Sequence, residues 1–500
     1  QNAYQCLIDP IFESRPRITS QSTTEDSMPF LTKYIKDFPL PSGDTLLLNT
    51  LTSAMDIVDP PTWEKIRSIS SPESPVTEEA EPELFSSLRS RGYVFNDHQD
   101  EARILSQMRR VTLNAPFSEV PTNFVICPSM ACNLRCTYCF QSDAQHIAYE
   151  KLTSAKLHAI FDYIMKCRKE YAEYRCDPRV RKFLGDVEPS ISLFGGEPLL
   201  RANRDLVAEV LEFASSVPMQ VRVVTNGTSI KHYAELIKKH IDILAFQVTL
   251  DGARQSHDSR RIRNSGAGTF DAVCDGVDQL LDLGAFVALR VNVDRENVDE
   301  LVDLPAVLEA RGWTGNDHLF PYASVVQDFA CDRPELLRES EMLEILHERG
   351  LYGTPDALFK QLLSTTIGFV EGFFRQTDGV RPWRLSYCEA TNGSSFCFAP
   401  NGTITTCLTY VGRGDCTIGT FDETGVRVDK ERLSAWTKRD PFRMPGCADC
   451  KYLLLCGGGC PVKSLERFED IQCNVCSDIE RTLEVYVHQK GEELVRGSAR

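Results

Sequence analysis

Between about Thr122 and Ser324 short apolar runs alternate with helical periodicity, and this constrains the fold more than any other feature of the chain. The runs are Phe124–Ile126, Ser190–Phe194, Gln220–Thr225, Leu244–Leu250, Phe286–Val293 and Leu319–Ala323. Each is rich in Val, Ile, Leu or Phe and ends in a loop with Gly, Asn or Asp, as strands do. Helical patterns lie between them, among them Lys156–Lys166, Asp205–Ser215, His232–Lys239 and Phe270–Leu283. Repeated strand–helix units predict an α/β fold on a parallel sheet, here an open or partial barrel. Barrels of parallel strands gather their chemistry at the carboxyl ends of the strands.

The loop after the first of these strands reads MACNLRCTYCF and places Cys132, Cys136 and Cys139 at C-x3-C-x2-C spacing. Three thiolates are one fewer than a [4Fe–4S] cluster takes, so one iron is left for a ligand that is not protein. The second strand ends in Gly195-Gly196-Glu197-Pro198, where two glycines permit close backbone approach and a carboxylate stands beside them. The third ends in Thr225-Asn226-Gly227-Thr228, and the fourth in Leu250-Asp251-Gly252 followed by His257-Asp258-Ser259-Arg260-Arg261. In that last string either Arg261 binds a carboxylate bidentately or Asp258 and Arg261 pair with each other. Arg290 and Asn292 fall on one side of the fifth strand by its period of two, which predicts a polar pocket inside the barrel.

These strings resemble the signature of the radical S-adenosylmethionine (SAM) superfamily. The resemblance implies a partial (β/α)6 TIM-like barrel and a [4Fe–4S] cluster on Cys132, Cys136 and Cys139. SAM would bind the open iron and be cleaved reductively to a 5′-deoxyadenosyl radical. It also implies SAM contacts from Tyr138, Gly195, Gly196, Glu197, Pro198, Thr225, Asn226, Arg261 and Arg290.

The last quarter holds the densest cysteine pattern. Cys388 is followed by Gly402 and Cys407, then by Cys447-x2-Cys450-x5-Cys456-x3-Cys460, and later by Cys473 and Cys476. This is similar to the seven-cysteine pattern of the SPASM domain of peptide and sulfatase maturases, which implies two auxiliary [4Fe–4S] clusters and three in all. Carried over residue by residue, Cys388, Cys407 and Cys460 hold the first. Cys447, Cys450, Cys456 and Cys476 hold the second, with Cys473 the alternative last ligand. The fourth position of the first cluster is open to Cys416, to Cys397 or to no protein ligand. A two-residue hairpin turn at Pro400-Asn401-Gly402-Thr403 would set Cys397 opposite Thr406 and Cys407 opposite Phe396. Cys397 would then point away from Cys407, and this register favours Cys416. Cys6, Cys127, Cys167, Cys176, Cys274 and Cys331 have no ligand-like spacing and read as packing residues.

Ahead of the barrel, Thr45–Leu48 and Met55–Val58 read as a strand pair, followed by helices Pro61–Ile69 and Leu84–Arg91 and the short strand Tyr93–Phe95. The order resembles the winged-helix-like element that enzymes modifying ribosomally made peptides use to bind a leader peptide as an added strand. The expected division is a winged-helix-like domain at 1–115, the radical SAM core at 116–330, a bridging region at 331–385 and a SPASM domain at 386–500.

The balance of charge narrows the partners. Lys and Arg number 55 and Asp and Glu 71, a net charge of −16, which does not suit a nucleic-acid or anionic-membrane binder. The 19 cysteines, with no export signal visible, suggest cluster binding in a reducing, cytoplasmic compartment. The resemblance implies two partners, a precursor peptide with its leader and a flavodoxin- or ferredoxin-type electron donor. The implied reaction is hydrogen abstraction from that peptide to install a crosslink, most plausibly a thioether. The alternative is formylglycine generation of the sulfatase-maturase type, or another radical dehydrogenation of a protein side chain. Sulfatase maturases carry an Asp directly after the G-x4-C cysteine. Leu408 stands there in this chain, which favours the peptide reading.

Overall fold

A computed structural model describes residues 29–69, 71, 76–113, 120–141, 150–175, 188–327, 329, 333, 336–375 and 383–498. Its centre is a parallel sheet: β1 (Asn123–Ile126), β2 (Ser190–Leu193), β3 (Gln220–Thr225), β4 (Leu244–Thr249), β5 (Phe286–Val293), β6 (Leu319–Val325) and the two-residue β7 (Gln361–Leu362). The strands lie side by side in chain order and all neighbours run parallel. Helices such as Ser154–Arg175, Arg204–Ser216 and Phe270–Asp282 return the chain between them. Alternate strand residues face these helices. Phe124, Ile126, Ile191, Leu193, Val221, Val223, Phe246, Val248, Val287 and Leu289 are buried in one core with Leu157, Ile160, Val207, Leu211, Val273 and Val277. The α/β fold with a large parallel sheet is therefore as the alternation predicts.

The sheet does not stop at β1. The strand β8 (Ser395–Phe398) adds to the free edge of β1 in parallel, and β9 (Thr403–Thr405), β10 (Gly419–Asp422) and β11 (Gly425–Val428) continue it antiparallel. The cysteine-rich block thus continues the parallel sheet beyond β1. In this way β8 covers an edge that would otherwise expose unpaired backbone.

The hairpin between β8 and β9 differs from the expected register. Cys397 pairs with Thr405 and Phe398 with Ile404, because the loop has three residues rather than two: Ala399 N–H donates to Thr403 and Gly402 N–H to Ala399, with Gly402 at φ +82°. A one-residue slip moves every side chain to the other face. Residue 407 has the parity of 405 and hence that of Cys397, so the ground for turning Cys397 away from Cys407 is removed.

The N-terminal block forms a three-stranded antiparallel sheet, Ile35–Pro39, Thr45–Asn49 and Met55–Val58 in that order. Helices Pro60–Ser68 and Pro82–Ser90 pack on it through Ile66, Phe85 and Leu88, against Leu47 and Tyr93. Met55–Val58 is an edge strand. This block rests on the cysteine-rich one: Tyr34, Leu51 and Met108 pack with Trp383, Leu385 and Leu454, Trp383 Nε1 donates to Leu51 O at 3.0 Å, and Arg109 pairs with Asp440 at 2.7 Å. The bridging helices Glu339–Glu348 and Thr365–Arg375 pack on the long final helix Ile479–Ser498, where Phe374 stacks on Tyr486. Among the described residues no helix is long and apolar enough to cross a membrane.

Candidate active site and cysteine clusters

The cysteine loop is held from three sides. Leu134–Cys136 forms an antiparallel pair with Arg261–Arg263, with Cys136 opposite Arg261. Thr137 N–H donates to Arg260 O. Beneath, Gly195 and Gly196 lie against the backbone that leads into Cys132. A Cβ on Gly195 would sit 2.4 Å from Ser129 O and one on Gly196 2.3 Å from Met130 O. The two glycines are needed for this approach of chain to chain.

Glu197 belongs to the same brace. It is buried, and its carboxylate accepts from Leu199 N–H at 2.9 Å, Thr225 Oγ1 at 2.7 Å and Asn226 N–H at 2.7 Å. Burial raises its pKa, and these donors hold it back. Glu197 and Thr225 thus spend their polar groups on one another, tying the end of β2 to the end of β3. Asn226 Nδ2 donates to Asn133 Oδ1, and Asn133 Nδ2 to Thr228 Oγ1. Asn133, between two ligand candidates, is the link from the cysteine loop to this turn. Pro198 O accepts from the fully buried Asn203.

On the opposite side Tyr138 is the centre of a network. Its hydroxyl donates to Asp251 Oδ2 and accepts from Arg261 Nη1 at 2.7 Å and Asn292 Nδ2 at 3.1 Å. Burial raises the pKa of that hydroxyl further. Arg260, 2% exposed, lies 4.9 Å over the Tyr138 ring and pairs with Asp294 at 2.5 Å. Arg260 Nε and Nη2 and Arg261 Nε are buried donors with no hydrogen-bond partner in the structure, although Arg260 Nε lies 4.0 Å from Asp251 Oδ2. Arg290 Nε donates to Asn292 Oδ1 at 2.7 Å and its Nη2 to Ser324 at 3.2 Å, while Tyr322 reaches Gln247. Arg290 and Asn292 thus lie on the same side of β5, as its period of two predicts. Arg260 was not singled out by sequence reasoning, and its only signal is adjacency to Arg261.

The HD string is structural. Asp258 does not pair with Arg261. Its Oδ1 accepts from Thr269 N–H and Phe270 N–H and starts the helix Phe270–Asp282. His257 Nδ1 accepts from Asp251 N–H, so its Nε2 carries the proton toward Thr269 Oγ1, which itself donates to Arg261 O. Burial, then the charges of Arg261 and Arg260, hold the His257 pKa well below 6.5. A depressed folded-state pKa stabilises above the unfolded value and loses that contribution as pH falls toward the folded one. Denaturant unfolding of wild type is therefore expected to lose up to about 1.4 kcal/mol per pH unit below about pH 6.5 relative to His257→Gln. Parallel pH profiles of the two proteins would contradict a neutral buried His257.

The three cysteines fit an iron–sulfur group. Burial pushes the Cys132 thiol up to about 12, and Glu197, Cys136 and Cys139 add to that. Such a thiol is held as a thiolate only beside a cationic partner, as a bound iron–sulfur group would provide. Among the described residues no group of His, Cys, Asp or Glu is one that could hold a single metal ion. A cube with one cysteine per iron spreads its sulfurs further apart than a single ion does. Cys139 is exposed and Cys136 partly so, which leaves the loop open on one side.

In the C-terminal block the cysteines sort into two sets. Cys388 and Cys460 both act on the Cys407 thiol, and Cys456, Cys450 and Cys476 all act on Cys447. Cys473 stands apart, with its Sγ 3.9 Å from Asp470. Cys416 is buried in the main core, and its thiol faces Asp415, Arg413 and Glu466. Cys397 faces Cys127 and Cys407 from a small apolar cluster on the other face of β1 and β8. None of Cys388, Cys407 and Cys460 is among the groups that act on the Cys416 thiol. Cys127, Cys167 and Cys274 are buried packing residues, as expected. Cys6, Cys176 and Cys331 lie outside the described residues.

Comparison with known proteins agrees with this geometry. Residues 126–305 match the Radical SAM superfamily. Fe-coproporphyrin III synthase of Methanosarcina barkeri is 28% identical over 179 residues, 36% of this chain and 38% of that protein. Mycofactocin maturase MftC of Mycolicibacterium smegmatis is 26% identical over 186 residues, 37% of this chain and 41% of that protein. The chain thus spans about two fifths of the length of these curated relatives. The solved structure "Native anSMEcpe with bound AdoMet and Kp18Cys peptide" superposes with a TM-score of 0.54 at 16% identity, covering 76% of this chain and 99% of that one. At that identity the likeness is one of fold.

Proposed function

We propose that this chain, which belongs to the radical SAM superfamily through its residues 126–305, crosslinks a ribosomally made peptide, and that the bond is a thioether. When bound, a [4Fe–4S] cluster with SAM supplies an organic radical that takes a hydrogen atom from the substrate. Cys132, Cys136 and Cys139 would hold that cluster. The Glu197–Thr225–Asn226 brace and Asn133 keep the loop at the strand ends. Arg261 Nε, buried and without a hydrogen-bond partner, suits an anionic ligand, and the polar side chains of Arg290, Asn292 and Tyr322 on β5 and β6 would face substrate.

One observation supports the thioether reading: the first C-terminal set gathers three cysteines, Cys388, Cys407 and Cys460, against the main core, whereas the Cys416 thiol faces Asp415, Arg413 and Glu466 and Cys397 packs in the separate apolar cluster with Cys127. A [4Fe–4S] cluster there would have a position free for the thiolate of a substrate cysteine, deprotonated and oriented for attack by a carbon radical. Cys447, Cys450, Cys456 and Cys476 would hold a second auxiliary cluster in a SPASM-type domain, for three clusters in all. The maturation role printed in the names of MftC and of SkfB of Bacillus subtilis, 25% identical over 188 residues, supports a peptide substrate. The N-terminal sheet with its edge strand Met55–Val58 is where a leader peptide would add as a further strand, in winged-helix fashion. A flavodoxin- or ferredoxin-type donor in the cytoplasm would supply the electron. Formylglycine generation is the second reading, and Leu408 counts against it.

The test is mass spectrometry of a Cys-containing precursor peptide after anaerobic incubation with enzyme, SAM and reductant. The expected product is lighter by two hydrogens per crosslink, with one alkylatable thiol lost for each. Removal of the leader should slow this reaction and leave uncoupled SAM cleavage unchanged. A product that keeps all its thiols, or equal rates without the leader, would refute the corresponding part.

A further inference from the structure

Arg439 lies outside the barrel site and is only 4% exposed. Its guanidinium donates to Ile471 O at 2.5 Å, Gly459 O at 2.6 Å, Cys473 O at 2.5 Å and Ser464 Oγ at 3.1 Å. All four acceptors are uncharged. A buried cation without an anionic partner is costly, by several kcal/mol on general grounds. What surrounds this one is cysteine, for the thiols of Cys460, Cys447, Cys388 and Cys456 all act on it. Those four are drawn from both C-terminal sets.

The backbone shows how the position is built. Gly457, Gly458 and Gly459 all have positive φ, and a Cβ on Gly459 would meet Val475 O at 1.8 Å. That turn seats Cys460, of the first set, directly against the segment 471–476 that carries Cys476, of the second. Arg439 clasps both sides of the seam through Gly459 O and Cys473 O. Ser464, fully buried, repeats the link by donating to Cys460 O and Cys473 O.

We infer that Arg439 is the shared counter-charge of the two auxiliary clusters, setting their reduction potentials and holding their ligand loops together. This rests on the reading of the C-terminal cysteines as ligands of two [4Fe–4S] clusters. Each electron added to such a cluster makes it one unit more negative and leaves its ligands in place. A fixed positive charge between the two therefore favours the reduced states of both, the more so because the site is dry. Arg439 is a positioning and tuning residue that does not touch substrate.

The experiment is an EPR-monitored redox titration of anaerobically reconstituted full-length Arg439→Gln and Arg439→Lys, with iron counted in each. Arg439→Gln with full iron should lower at least one auxiliary potential by about 59 mV or more, a tenfold change in a one-electron equilibrium. The SAM-binding cluster should not move, and Arg439→Lys should stay near wild type. If Arg439→Gln loses iron and Arg439→Lys does not, charge pairing is again supported. Full iron with unchanged potentials in Arg439→Gln, or equal iron loss in both variants, would overturn the inference. If wild type itself holds only about four irons, the underlying cluster reading has failed instead.

Discussion

A variant with Cys132, Cys136 and Cys139 all changed to Ala is expected to form no 5′-deoxyadenosine and to hold about four fewer irons than wild type, about eight against twelve. The three sulfurs are the whole protein contribution to the cluster in that loop, and nothing else in the described site offers a thiolate. Cys127, the nearest other cysteine in the sequence, is fully buried in an apolar cluster and tied by its backbone to Phe398. The fold should survive. Leu134 is the buried residue of the loop, while Cys132 and Cys136 are half-buried and Cys139 is exposed. Anaerobic iron analysis and chromatography of the SAM products measure both effects. Undiminished SAM cleavage in this variant would end the radical SAM reading of the site.

Replacing Glu197 with Ala should cost about 3 kcal/mol of stability, because it leaves three buried donors without their acceptor. The Thr225 hydroxyl and the N–H groups of Asn226 and Leu199 would all be stranded inside the protein. The loss is mechanical as well, since the carboxylate is what joins the ends of β2 and β3. SAM binding should weaken with it, and Glu197→Gln, which keeps an acceptor in place, should lose less on both counts. Denaturant unfolding and equilibrium binding of SAM are the measurements. An Ala variant with unchanged stability and SAM affinity would show that the brace carries no weight.

Glu197 also marks a limit of reading residues along a chain. The string GGEP at a strand end directs attention to the right place, but not to which of its groups faces a ligand. In the fold the carboxylate turns inward to Thr225 and Asn226, and the two glycines face the cysteine loop. Tyr138 is similar. It stands between two ligand candidates, yet its hydroxyl is bound to Asp251, Arg261 and Asn292, groups separated from it by more than a hundred residues. Arg260 drew no attention because a charged side chain in a polar string reads as solvated. Its burial over Tyr138 depends on the pairing of Arg261 with Cys136.

What the sequence by itself determined is the part governed by local periodicity and by fixed spacing. Strand periodicity located β1 to β6 to within a residue or two, and missed only the two-residue β7 of the parallel strands. Ligand spacing singled out the cysteine loop after the first strand, because three thiols within eight residues fit one iron–sulfur group. What only the tertiary structure decided is whatever depends on a face or an edge. The loop between β8 and β9 is longer by one residue than its sequence suggested, and since side chains alternate on a strand, that single residue removed the expected ground for turning Cys397 away from Cys407. The addition of β8 to β1, the seat of Cys416 beside Glu466, and the placing of Arg439 between two cysteine sets are contacts between distant segments. Their energy comes from burying surfaces against each other, and no local pattern of residues records which surface will meet which.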